Sequence, residues 1–102
     1  MEVTESLLQE FKNRMHISHN EDDNLKKLLS FSIIKIKSNC GEFDIYGNKD
    51  TDIRAKELVF ERTRYAYNDA VEYFENNFLS EITSLGLDIV LEEMEINPDA
   101  TI

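Results

Sequence analysis

Between Asp52 and Phe78 the apolar residues recur at a helical period on two adjoining faces. At about 100° per residue, Leu58, Val59, Tyr65, Ala66, Ala70 and Tyr73 gather on one side, and Phe60, Tyr67, Val71, Phe74 and Phe78 on the next. The remaining positions, Glu57, Glu61, Arg64, Asn68, Glu72 and Glu75, fall in a narrow wedge. A surface helix needs an apolar stripe of only about 100°. One long helix with so wide an arc must be covered from two directions, by the chain's other helices and by a neighbouring subunit. Asp50, Thr51 or Asp52 supplies its N-cap, and Asp52 to Lys56 is a favourable i,i+4 pair. Arg62 and Asp69 lie inside the arc, where a charge is costly unless paired or carried to water. They sit either at the rim, heads in solvent, or in a contact between subunits.

Upstream, Thr4 opens a short helix to about Arg14 with Leu7, Leu8, Phe11 and Met15 on one stripe. Ser18 followed by Glu21 has the form of a capping box, and Asp22 and Asp23 suit the positive end of a helix that starts near Glu21. Leu25, Leu28, Leu29, Ser32, Ile33, Ile36 and Cys40 keep the helical period up to Gly41, a fitting C′ residue. The β-branched run from Ser30 to Ser38 would also suit a strand, but the unbroken period and the capped start favour helix. Residues 41–50 form a connecting loop or short hairpin, with Phe43 and Ile45 alternating and Gly47-Asn48 as the turn.

Beyond the long helix, Asn76-Asn77 marks a break, and Phe78, Leu79, Ile82 and Leu85 form a last short helix stopped by Gly86. From Leu87 the period changes. Leu87, Ile89 and Leu91 alternate with Asp88, Val90 and Glu92; Met94 and Ile96 prolong the series, and Asn97-Pro98 ends it. This reads as an extended arm that either folds back, pairs with Phe43 to Tyr46, or adds as a strand to another chain. Residues Pro98 to Ile102 are expected to fray. The fold expected is all-α, a small bundle of about four helices around one long central helix. Residues 1–86 make the helical domain and 87–102 the arm.

Charge divides the chain unevenly. All 11 Lys and Arg lie between Lys12 and Arg64, against 12 acids up to that point, which leaves −1. From Tyr65 onward there are nine acids and no base. Phosphate neutralisation needs Lys and Arg, so this anionic part disfavours specific nucleic-acid binding. No apolar run approaches a membrane span, and the acidic N-terminus is unlike a secretory signal, which points to a cytosolic product.

Residue types that carry chemistry are present without the spacing that chemistry needs. His16 and His19, with Glu21, Asp22 and Asp23 behind them, lack the further ligands of a zinc site. Cys40 sits on an apolar stripe that disfavours a thiolate, and a single cysteine forms no internal disulfide. Asn48 to Asp52 alternates oxygen ligands but lacks the glycine and distal Glu of a calcium loop. Without a phosphate cradle or pocketed carboxylate pair, neither enzymatic activity nor a cofactor is expected.

Leu25-Lys26-Lys27-Leu28-Leu29, Cys40-Gly41, Glu57-Leu58-Val59, Arg64 to Ala70 and Tyr73-Phe74 together resemble the head-tail connector (adaptor) proteins of long-tailed bacteriophages, over roughly residues 4–86. The resemblance implies a small all-helical virion protein, made in the host bacterium's cytoplasm, that joins the DNA-filled capsid to the tail. It implies a ring, typically of twelve subunits, beneath the portal protein, with the C-terminal segment gripping the portal and the ring offering a platform to the next connector protein. Carried onto this chain, Leu87, Ile89, Leu91, Met94 and Ile96 would be the portal-binding arm. Arg62, Tyr67, Asp69 and Phe74 would meet ring neighbours. Glu57, Glu61, Glu72 and Glu75 would face the DNA channel, where like charge keeps DNA from adhering. The alternative from composition is an acidic regulator that mimics DNA or sequesters a basic partner.

Overall fold

In the computed structural model, which describes residues 3–96, the chain is all-α, with five α-helices and no strand among the described residues. Helix α1 spans Glu5–Met15, α2 Asp22–Cys40, α3 Asp50–Tyr67, α4 Phe74–Asn77 and α5 Leu79–Ile96, with a 3-10 turn at Val71–Tyr73. The expected positions 97–102, including the Asn97-Pro98 stop, lie outside the described residues.

Helix α1 begins as its sequence dictates, with the Thr4 side chain accepting from the Leu7 N–H at 3.2 Å. Its end is a Schellman motif built on a histidine. His16 sits in the left-handed region at φ 58°, the Ile17 N–H returns to the Lys12 carbonyl, and Ile17 packs against the core. Helix α2 starts where expected, but without the capping box. The Asn20 side chain accepts from the Asp22 N–H while Glu21 is engaged elsewhere. The run Ser30 to Ser38 is helical throughout, and the helix stops at Gly41, whose φ of 111° suits a residue without Cβ.

The long helix expected over Asp52 to Phe78 is instead two helices joined by a turn. Helix α3 ends at Tyr67 in a second Schellman motif: Asp69 takes φ 58°, its N–H returns to Ala66, and the Ala70 N–H returns to Tyr65. Aspartate tolerates this backbone region better than most residues, which is how a helix without a local glycine stops here. The N-terminal chemistry also differs. Lys49 is the N-cap position, Asp52 is buried and accepts from the Asp44 N–H at 2.9 Å, and Lys56 pairs with Glu10 at 2.8 Å. The connector 41–49 is an extended loop that buries Phe43 and Ile45 and turns at residues 45–46, two positions earlier than the Gly47-Asn48 turn expected.

The break at Asn76-Asn77 is present, with α4 ending at Asn77. The extended arm is not. Helix α5 runs without interruption through Gly86, and Ile82, Leu85 and Ile89 bury one side of it in the core. Leu87, Val90, Leu91 and Met94 occupy the outer side. Because both sides are apolar, alternate residues look like a strand although the chain follows a helical period. The helix crosses residue 86 unbroken.

The core lies where α2, α3 and α5 meet, closed by α1 on one flank. Leu25, Leu29, Ile33 and Ile36 of α2 pack on Ala55, Leu58, Val59 and Phe60 of α3, and Phe11 of α1 meets Phe60 edge-on at 5.4 Å between ring centroids.

Candidate interaction surfaces

The acids expected to line a channel are distributed over three elements and differ in their partners. Glu57 on α3 forms a two-pronged pair with Arg14 of α1, at 2.7 and 2.6 Å. That hydrogen bonding lowers the Glu57 carboxyl below its ordinary range and raises the Arg14 guanidinium. Glu61 lies 2.6 Å from Arg64 and 3.5 Å from Arg14. Both carboxylates are therefore locally neutralised and fasten α1 to α3. Glu75 on α4 reaches Lys35 at 3.6 Å and the Asn39 amide at 3.5 Å, on the α2 side of the molecule. Glu72 is exposed on the 3-10 turn. The single acidic wedge required one continuous helix, and the turn at Asp69 disperses it.

The four expected subunit contacts also separate. Phe74 is fully buried, stacked on Phe78 at 4.9 Å and edge-on to Tyr65 at 5.8 Å, so it belongs to the core and not to an interface. The Tyr67 hydroxyl donates to Glu21 at 2.7 Å, tying the end of α3 to the start of α2. Glu21 also binds His19, and the hydrogen bonds from Tyr67 and His19 hold its carboxyl below the ordinary range. Asp69 is exposed in its left-handed turn, off the helix that carries Arg62. Arg62 is half-buried and donates to Ser32 Oγ at 3.2 Å; burial lowers its pKa, and no carboxylate lies within salt-bridge distance among the described residues. Beneath it the Thr63 hydroxyl donates to the Val59 carbonyl at 2.7 Å and lies 3.0 Å from Ser32 Oγ.

Of the expected arm, Ile89 faces the core, Leu87, Leu91 and Met94 are exposed, and Ile96 ends α5. The acids of this helix divide by side. Asp88 takes Arg54 at 2.6 Å and Glu92 accepts from the Thr51 hydroxyl at 2.9 Å, both toward α3. Glu81, Glu93 and Glu95 have no ion-pair partner among the described residues.

His16 and His19 are held by backbone geometry and by Glu21, as above. Cys40 is buried, its thiol donates to the Ile82 carbonyl at 3.4 Å, and burial pushes its pKa up. No group of three His, Cys, Asp or Glu is placed to hold a metal among the described residues, and no helix there is long and apolar enough to cross a membrane.

What sequence reasoning missed is a pair of exposed apolar residues on α2, Phe31 and Ile34. Neither fits the stripe that begins at Leu25, and that misfit was the available signal. Compared with family models, with curated proteins and with solved structures, the chain matches none.

Proposed function

We propose that this protein is a structural head-tail connector of a long-tailed bacteriophage, a ring-forming adaptor beneath the portal that joins the capsid to the tail. The observation that carries the reading is the end of α5, where Leu91 and Met94 are exposed, with Leu87 behind them, close in sequence to Glu93 and Glu95, which have no ion-pair partner among the described residues. An apolar surface at the end of a helix, beside carboxylates that are not neutralised locally, is suited to docking on a larger partner. The expected grip on the portal is therefore helical, not a strand addition. The pattern resemblance over residues 4–86 supports the same assignment, and the role is one of assembly, not catalysis.

In this reading the ring has twelve copies, DNA passes through it without specific contacts, and a further connector protein binds the opposite side. Glu72, Glu81, Glu93 and Glu95, which have no ion-pair partner among the described residues, are able to present net negative charge to passing phosphate. The protein is made in the bacterial cytoplasm and resides at the capsid-tail junction.

The test is light scattering of the purified protein mixed with its cognate portal. Leu91→Asp/Met94→Asp is preferred to truncation at residue 86, which would also remove core residue Ile89. The wild type joins the portal as a large complex and the double variant does not. If both ignore the portal and remain small, the connector reading falls, and the unpartnered acids of α5 favour a regulator that binds a basic protein.

A further inference from the structure

Helix α2 is apolar on two opposite sides. Leu25, Leu29, Ile33, Ile36 and Cys40 face the core, whereas Phe31 and Ile34, one turn apart, stand on the far side and are 58% and 60% exposed. They form a short ridge. Lys27 lies one turn before Phe31 and has no ion-pair partner among the described residues, and Lys35 adjoins Ile34.

A groove lies elsewhere on the same molecule. Along α5, Leu79, Thr83, Gly86 and Val90 follow at intervals of four, three and four, so they share one helical face, with Asn39 and Cys40 at the end of α2 as the opposite wall. Leu79 and Val90 are 60% and 50% exposed. At Gly86 the backbone has no positive φ, and an added Cβ would lie 3.6 Å from Cys40 Cα, an ordinary contact. The chain's own packing thus has room for alanine, which the helix would favour, yet glycine leaves a notch in the groove. Glu75 lines one end, where Lys35 of the same chain reaches it at 3.6 Å, and Glu93, near the other end, has no ion-pair partner among the described residues.

We infer that the groove receives the Phe31/Ile34 ridge of a second copy of this chain. Two grooves facing each other would bring acid to acid. A ridge entering a groove joins apolar to apolar and brings Lys27 to a rim whose Glu93 has no ion-pair partner among the described residues. The contact gives the subunit pairing for the proposed ring and rests on that reading only in supposing that copies meet; it uses residues other than the portal-docking Leu91 and Met94.

The experiment is sedimentation velocity on the full chain up to about 1 mM, with Ile34→Asp and Val90→Asp measured alone and mixed. Both positions are exposed, and circular dichroism checks that both variants fold. The wild type forms species larger than one chain that grow with concentration. Each variant alone associates about 10- to 100-fold more weakly, and the equimolar mixture recovers a complex, because one variant keeps its groove and the other its ridge. A wild type that stays a single chain throughout, or a mixture that recovers nothing, overturns the inference. Failure here with an intact Leu91/Met94-dependent portal interaction leaves the connector reading standing; self-association without portal binding does the reverse.

Discussion

The buried carboxylate of Asp52 accepts a hydrogen bond from the backbone N–H of Asp44 at 2.9 Å, which fastens the loop between α2 and α3 to the first turn of α3. Gly47 is part of the same arrangement, since a Cβ there would come within 2.0 Å of Asp52 Oδ2. Asp52→Ala leaves the Asp44 N–H without its charged acceptor and is expected to cost about 2 kcal/mol. Asp52→Asn, which retains an acceptor, should cost less. Urea unfolding with an unchanged m-value checks both; an Asp52→Ala loss below that of Asp52→Asn would refute the role.

The Arg14–Glu57 pair makes stability depend on pH. Its carboxyl is held below the ordinary range, so its contribution is fully present above the unfolded pKa of about 4.3 and is lost as pH falls through the lower folded value. With Glu57 about half exposed, solvent limits the effect to under about 1 kcal/mol. In Glu57→Gln the stability difference from wild type should vanish at acid pH and shrink in high salt. Thermal melts from pH 3 to 7 at two salt concentrations measure this; a constant difference across that range contradicts it.

At the turn after α3, Asp69 holds a left-handed backbone that glycine adopts without a Cβ penalty. Its side chain is exposed, so Asp69→Gly should raise stability by roughly 0.5–1 kcal/mol, the relief exceeding the added freedom of the unfolded chain. Chemical denaturation reads the sign directly. A loss would mean that the aspartate side chain itself stabilises the turn.

Ser32 and Thr63 share a fully buried polar contact between α2 and α3. Thr63→Val keeps the shape but removes the oxygen beside the Ser32 hydroxyl, at an expected cost of about 1–3 kcal/mol. Adding Ser32→Ala also removes the acceptor of the half-buried Arg62, so the double variant should lose more than Thr63→Val alone, by less than the sum of the two single losses. A double-mutant cycle gives the coupling, and strictly additive losses would show that the two hydroxyls are independent.

How much of this was legible depended on whether local signals agreed. Thr4, the Leu7-Leu8-Phe11 stripe, Leu25 to Cys40 and Gly41 pointed to the same helices that fold. The first helix, expected to end at about Arg14, ends at Met15, but the stop at Asp69 was obscure because a Schellman turn is usually announced by glycine, and here it is not. With the second stop missed, an apolar series spanning two helices read as one, and the acidic wedge, the placing of Arg62 and Asp69 on one helix face and the interface role of Phe74 all followed from it. Helix α5 failed for a different reason. Ile82, Leu85 and Ile89 satisfy the core while Leu87, Val90 and Leu91 line the outside, and an element apolar on both sides loses its periodic contrast. The charge asymmetry, by contrast, needed no fold to be read, and it survives on the side of α5 that carries Glu81, Glu93 and Glu95, away from the Arg54 and Lys49 pairs.

That surface has an energetic consequence for the helix itself. The peptide dipoles of α5 sum to a negative end at its C-terminus, and its last turns carry Glu92, Glu93 and Glu95 with no basic residue. Lys49 reaches Glu92 at 3.5 Å, but Glu93 and Glu95 have no ion-pair partner among the described residues, so the final turns oppose their own electrostatics while the turns anchored by Ile82, Leu85 and Ile89 do not. Amide hydrogens near residue 95 should therefore exchange with solvent faster than those near residue 85. A cationic surface laid against this end would slow them by completing the terminus, so binding and helix stabilisation would be one event.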